Sequence, residues 1–256
     1  MWNTLHCEDN LKLLERLPDS SIDLIYCDIL FGTGQNFKDY KDLPHDHTAQ
    51  GAFYVERFAH MKRILKDAGL VYIHTGVKNS HWIRGFLDVV FGDENFRNEI
   101  IWNYNSAPRR DKDFGNRHDI ILRYSKTKDY YFDEDSAFIR EPYSLTAPRG
   151  YEKEKYYDKR GKIKGDVWDI KILAQNDRTE RVDYATQKPL KLLGTIIDSS
   201  CPPDGVVADF FLGSGTTIVA AQRLDRKWIG CDINPKSIEI TKERLDSVMS
   251  NFLLTL

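Results

Sequence analysis

The chain lacks any apolar run of about 18 residues, the length a helix needs to cross a bilayer, so no segment is expected to span a membrane. Its opening residues, Met1-Trp2-Asn3-Thr4-Leu5-His6, contain no basic stretch followed by an apolar one, and no signal peptide is visible. Its four cysteines, Cys7, Cys27, Cys201 and Cys231, form no Cys-x-x-Cys pair and show no zinc-type spacing, so no metal site is expected. Three of them lie in or beside apolar runs, the setting of buried reduced thiols, and a cytoplasmic location is expected by default. A dominant charge is missing as well. With 37 basic and 39 acidic residues the formal charge is −2. That excludes a histone-like protein but not an enzyme acting on nucleic acid, because a local basic surface is enough.

What is present describes a globular enzyme-sized chain. At 256 residues, 41% hydrophobic and 30% charged, it can bury one sizeable α/β core with a small appended lobe. Apolar runs at 22–27, 70–74, 205–209 and 227–232 read as buried strands, and 99–104 with 119–124 as a later strand pair. Helical spacing covers 11–17, 50–66, 80–91, 188–200, 216–224 and 235–248. Gly69 is expected to terminate a helix, and Pro189 to sit in the first turn of another. Strands alternating with helices predict a doubly wound, mainly parallel α/β sheet covered on both faces.

Between about 105 and 183 the character changes to polar, aromatic and charged. Arg149, Lys153, Lys155, Lys159, Arg160, Lys162 and Lys164 are interleaved with Tyr151, Tyr156 and Tyr157. This is either a solvated loop or an electrostatic and stacking surface for nucleic acid.

The strongest local signal is Asp209-Phe210-Phe211-Leu212-Gly213-Ser214-Gly215-Thr216-Thr217, a strand running through a glycine turn into a helix. Glycines let a ligand approach the backbone, and a helix opening offers free N–H groups. Asp232 ends the next strand, where a carboxylate can accept from both hydroxyls of a ribose. A dinucleotide site would want a third glycine, but position 218 is Ile218. A nucleoside-type ligand fits better than NAD, although an NAD-dependent oxidoreductase and a non-catalytic DNA-binding module remain competing readings. A second signal is Asp28-Ile29-Leu30-Phe31, an acid at a strand end followed by an aromatic that could stack on a flat substrate. A third is Thr186-Gln187-Lys188-Pro189 before a helix.

In this order the three motifs resemble the amino-methyltransferases of DNA, in the group with circularly permuted motifs. The resemblance also takes in Glu8-Asp9, Asp23-Leu24-Ile25-Tyr26-Cys27-Asp28, Gly32-Thr33-Gly34-Gln35-Asn36-Phe37 and Trp228-Ile229-Gly230-Cys231-Asp232-Ile233-Asn234-Pro235. It implies a Rossmann-like methyltransferase fold with target recognition inserted at about 105–183. It further implies S-adenosylmethionine as cofactor and double-stranded DNA as partner, and leaves room for a homodimer and a cognate restriction enzyme. Asp28 and a main-chain carbonyl at Ile29 or Leu30 would accept the hydrogens of an exocyclic amine, and Phe31 would stack on the extruded base. The cofactor would meet Asp9, Asp28, Asp209, Phe210, Phe211, Gly213, Ser214, Gly215, Thr216, Asp232 and Ile233, with Lys188 on its methionine side. Asp rather than Ser at position 28 points to adenine N6, with cytosine N4 as the alternative.

One departure stands out. The resembled motif has two prolines where this chain has Ile29 and Leu30. Proline fixes φ near −65°; here the path must be held by packing, or the protein binds cofactor without turning over.

Overall fold

The computed structural model describes residues 1–104, 112, 114–143 and 158–253. Along it run β1 (Thr4–Cys7), α1 (Asn10–Arg16), β2 (Ile22–Asp28), α2 (His47–Ile64), β3 (Leu65–Thr75), α3 (Ser80–Phe91), β4 (Phe96–Asn103) and β5 (His118–Ser125). Then follow β6 (Arg140–Glu141), β7 (Lys162–Ile163), β8 (Val167–Asp169), α4 (Leu190–Ser200), β9 (Val206–Asp209), α5 (Thr216–Arg223), β10 (Lys227–Asp232) and α6 (Pro235–Leu253).

Alternation along the strands divides the core into two layers. On β2, Ile25 and Cys27 join the cluster of Leu13, Tyr54, Phe58, Ile83 and Leu87 from α1, α2 and α3. Leu24 and Tyr26, one residue out of phase, join Leu192, Ile196, Ile218 and Ile238 from α4, α5 and α6. Each large apolar side chain taken out of water this way stabilises the fold by about 1.5–3 kcal/mol. The doubly wound expectation is met, and Cys27, Cys201 and Cys231 are buried free thiols while Cys7 is exposed.

The main sheet has the order β1-β10-β9-β2-β3-β5-β4-β8. From β1 to β3 neighbouring strands are parallel, and β5 runs antiparallel between β3 and β4. β9 leads through α5 to β10 in one direction, and β2 leads through α2 to β3 in the other. The boundary between β2 and β9 is therefore a topological switch point, and a crevice opens beyond the carboxyl ends of those strands. Asp28 and Asp209 are the last residues of the two strands.

Several boundaries differ from expectation. Gly69 terminates no helix: α2 ends at Ile64 and β3 starts at once, with Ile22 paired to Leu65 but Leu24 to Leu70. Residues 66–69 form a bulge in which a Cβ on Gly69 would crowd the Lys66 carbonyl. Pro189 is the N-cap of α4 rather than a residue of its first turn. The stretch 105–183 supplies β5, in the middle of the sheet, and β8, paired with β4 through Ile101–Val167. Among the described residues, no helix is long and apolar enough to cross a membrane.

Candidate active site at the switch point

A cleft of about 790 Å³ opens at the switch point. Asp28, Ile29, Leu30 and Phe31 form one wall, and Phe210, Phe211, Gly213, Asp232, Ile233 and Asn234 another. Asp9, Asn10, Phe53 and Arg57 close one end, while Trp102, Tyr104, Asp119, Ile172, Leu173 and Arg181 form the far side.

The first arm of the cleft begins where β2 ends. Asp28 Oδ2 accepts a 2.6 Å hydrogen bond from Lys188 Nζ, and Asp28 Oδ1 is buried with no hydrogen-bond partner among the described residues. The loop that follows has no proline, yet nearly every residue is tied. Ile29 is 3% exposed in the core, and its N–H donates to the His74 carbonyl at 3.1 Å. The Leu30 carbonyl accepts from Tyr54 Oη at 2.6 Å, and the Phe31 carbonyl from Asn79 Nδ2. The buried Asp42 carboxylate collects the N–H groups of Gly32 (2.9 Å) and Thr33 (2.7 Å). Hydrogen bonds as well as packing thus replace the rigidity that prolines would supply.

Behind Asp28 lies a fully buried histidine. His74 Nδ1 is 2.8 Å from Tyr26 Oη and 3.8 Å from Asp28 Oδ1, and His74 Nε2 is 3.3 Å from Asp119 Oδ2. Burial pushes the Asp119 carboxyl up, but the hydrogen bond and charge of His74, with Lys188 nearby, outweigh it and hold it low. An ionised Asp119 can only accept, so in this contact the hydrogen sits on His74 Nε2.

The second arm, after β9, is built differently, from its own local geometry. Gly213 and Gly215 both have positive φ, 53° and 76°. The Asp232 carboxylate accepts from Gly213 N (2.8 Å) and Asn234 N (2.9 Å), and burial raises its pKa. Asp209 accepts from Phe211 N (3.0 Å) and Thr217 Oγ1 (2.5 Å), and burial pushes it up to about 7. Asp9 caps α1 through Leu11 N (2.9 Å) and pairs with Arg57 (3.0 Å), whose guanidinium lies 3.6 Å from the Phe53 ring centroid.

A strap crosses between the arms. The Asp39 carboxylate bonds Lys236 Nζ (2.7 Å) and Ala185 N (2.8 Å), and its carbonyl accepts from Asn234 Nδ2 (2.7 Å). Phe37 and Tyr40 on this strap stack at 4.7 Å and line the cleft.

Of the residues singled out in the sequence, Asp9, Asp28, Phe31, Lys188, Phe210, Phe211, Gly213, Asp232 and Ile233 share the cleft. Asp209, Ser214 and Thr216 lie beneath it, around a small void that Asp28, Gly213 and Lys188 also touch. Gly215 borders neither: a Cβ there would fall into Thr241 of α6, so this glycine serves helix packing at the N-cap of α5. Sequence reading missed Tyr54, Asn79, Asp42, Asp119 and His74. Of these only His74 carried a signal, as the polar end of a buried strand beside β2.

Comparison with known proteins gives concordant matches. The N6/N4 methyltransferase family profile, described as DNA methylase, matches residues 22–243. The type II methyltransferase M.HpaI of Haemophilus parainfluenzae is 31% identical over 98% of this chain and 77% of its own length. The DNA adenine methyltransferase YhdJ of Escherichia coli (strain K12) is 30% identical, over 93% of this chain and 81% of that protein. Among solved structures, PvuII DNA methyltransferase (cytosine-N4-specific) superposes with a TM-score of 0.71 at 20% identity, covering 94% of this chain and 85% of that one. The M1.HpyAVI–SAM complex gives 0.64 at 20% identity, over 94% and 98%. At such identity these two likenesses speak for the Rossmann-like methyltransferase fold alone.

Proposed function

Because the chain belongs to the N6/N4 DNA methylase family, which are S-adenosylmethionine-dependent DNA amino-methyltransferases, we propose that it methylates N6 of adenine in double-stranded DNA. The observation that carries this reading is the tied loop from Asp28 to Phe31, which presents a carboxylate, a main-chain carbonyl and an aromatic ring to one cleft. The Leu30 carbonyl already accepts from Tyr54, which makes the Ile29 carbonyl the better candidate for the second amino hydrogen. Two acceptors on one amine draw its lone pair out of conjugation with the ring. Phe31 stacks on the base once it has left the duplex, which costs a few kcal/mol that contacts in the cleft offset.

The donor set suits the cofactor. Its sulfonium and nucleoside match a cleft lined by the carboxylates of Asp9, Asp28 and Asp232 and the rings of Phe31, Phe53, Phe211 and Tyr184. Asp232 would hold the ribose, Phe211 and Ile233 the adenine, and Lys188 the methionine carboxylate. When bound, S-adenosylmethionine supplies an electrophilic methyl group. The protein's contribution is positioning, which can supply about 7–11 kcal/mol.

Adenine is favoured over cytosine by the carboxylate at position 28 and by the likeness to an adenine methyltransferase. The motif order reads as permuted, supported by the late strand β9 lying beside the early β2. Ile172, Leu173 and Arg181 on the cleft wall support target recognition by 105–183. Arg109 and Arg110, which fall in that stretch and could read base edges, lie outside the described residues, as do Arg149, Lys153, Lys155, Tyr151, Tyr156 and Tyr157. In the rest of that basic stretch, Arg160 is paired with Asp158 at 2.6 Å, and Lys164 lies 3.8 Å from Glu141. Lys159 and Lys162 are therefore its better phosphate contacts. A cytoplasmic place, a homodimer and a cognate restriction enzyme fit the same reading, the last because relatives are named type II methyltransferases. The test is incubation with plasmid DNA and labelled cofactor, followed by nucleoside mass spectrometry. N6-methyladenine is expected; N4-methylcytosine would move the target, and no methylated base would leave a cofactor-binding protein without turnover.

A further inference from the structure

Lys188 is in the wrong place for a residue that only holds a cofactor. Its Nζ donates to Asp28 Oδ2 at 2.6 Å, on the carboxylate meant for the target amine. The other oxygen, Oδ1, is buried toward His74, so Oδ2 is the one a substrate can reach. The same Nζ lies over the Phe31 ring, 5.7 Å from its centroid, and over the Trp102 ring at 5.9 Å. A flat base stacked on Phe31, with its amine on Asp28, would bring its nitrogen to the place this ammonium fills. An ammonium and an amine present the same donors, so the two compete for one acceptor.

We propose that Lys188 is a positioning residue that occupies the target amine's place on Asp28 and gives it up to the carboxylate of the cofactor's amino-acid end. This rests on the reading of the cleft as a base-methylating site. Lys188 is carried by the Thr186–Pro189 turn, where Thr186 has a positive φ of 60°, and Nζ also lies 3.4 Å from the Thr186 carbonyl. A flexible four-carbon stem lets the ammonium swing between two acceptors without moving the backbone. Two carboxylates then compete for one cation, and a cofactor that brings the second draws Lys188 off Asp28. Cofactor binding and base capture become coupled, and linkage makes the coupling equal in both directions.

The test is a binding cycle that needs no turnover. A duplex carrying the site methylated in the plasmid is titrated alone, with S-adenosylhomocysteine, and with 5′-methylthioadenosine, which lacks the amino-acid end. The wild type should bind the duplex about tenfold more tightly with S-adenosylhomocysteine and within about twofold of the free value with methylthioadenosine. In Lys188→Met the coupling should fall to about twofold or less, and cofactor-free DNA binding should tighten. Asp28→Asn loosens the same pair from the other side and should tighten S-adenosylhomocysteine binding about threefold. Unchanged coupling in Lys188→Met, or methylthioadenosine acting as well as S-adenosylhomocysteine, overturns the proposal. If Lys188→Met does not fold, unchanged cofactor affinity in Asp28→Asn overturns it alone. Absence of coupling in the wild type, with plasmid methylation intact, removes only this proposal. No methylation in the plasmid experiment removes the underlying reading, and this with it.

Discussion

Two turns leave the carboxyl ends of adjacent strands, and they are rigid for different reasons. The turn after β9 is held by its own residues and near neighbours. Gly213 and Gly215 take left-handed φ, and Asp209 and Asp232 tie down N–H groups within a few residues or on the next strand. The turn after β2 is held mostly from further along the chain, by Tyr54 of α2, Asn79 before α3 and the His74 carbonyl of β3, with Asp42 of the strap nearer at hand. A locally held turn is insensitive to its surroundings. One held from elsewhere fails when any of those four supports shifts, and that is the turn carrying Asp28.

The widest separation between the two should come from Asp28→Ala. Methyl transfer should fall about a thousandfold with the circular dichroism spectrum unchanged; transfer at the parental rate would sink the mechanism. Next in size is Gly215→Ala, whose Cβ must enter Thr241 at φ 76°. Strain and overpacking together should cost about 2–4 kcal/mol, seen as a lower midpoint in urea. Gly213→Ala, with nothing nearer than 3.6 Å, should cost about 1 kcal/mol. Equal losses would show that the local turn is not held as described.

Tyr54→Phe tests the distant turn. It leaves the Leu30 carbonyl without its donor, at about 1–3 kcal/mol, and kcat should fall about tenfold, the kinetic size of about 1.4 kcal/mol. KM for the cofactor should stay put, since Tyr54 touches the loop and not the cofactor arm. A change in KM alone would place Tyr54 elsewhere in the mechanism. The smallest effect concerns pH. Asp209 is pushed up to about 7 from an ordinary 3.8, so the folded state binds this proton more tightly than the unfolded one. The resulting stabilisation is full below about pH 4 and fades as pH rises through 7. Melting temperature should therefore fall from pH 5 to 8, and Asp209→Asn should flatten that slope by up to about 1.4 kcal/mol per pH unit. An equally steep slope in the variant would assign it to other groups.

The same contrast explains what the sequence made legible. β10 and α3 were readable to the residue, because an apolar run closed by Asp232 and a periodic stretch followed by Gly92 are local signals. The members of the glycine turn were readable too, although Gly215 turned out to pack against α6 and not to face the cleft. β1 was not, being four residues with polar Thr4 and His6 at a sheet edge, and neither was the three-residue β8. Asp28 and Phe31 stood out, but their supports are separated from them by up to dozens of residues and share no motif with them. Ile29-Leu30 looked like a weakened motif, since a lost proline is visible in sequence and a Tyr54 hydroxyl reaching Leu30 is not.

The pairing of β9 with β2 also has a price in time. Val206 N–H reaches Asp23 Oδ2 across 183 residues of chain. On the ribosome, β2 and β3 are complete long before the strand that covers the other edge of β2 exists. At about 5–20 residues per second, that edge waits on the order of ten to forty seconds, with Leu24 and Tyr26 still lacking the α4–α6 layer that buries them. The nascent chain passes through a stage with a bare strand edge and an uncovered apolar face, the two features that invite mispairing with a neighbour. Synthesis therefore exposes, for that interval, the very strand whose end later carries the proposed catalytic carboxylate, Asp28.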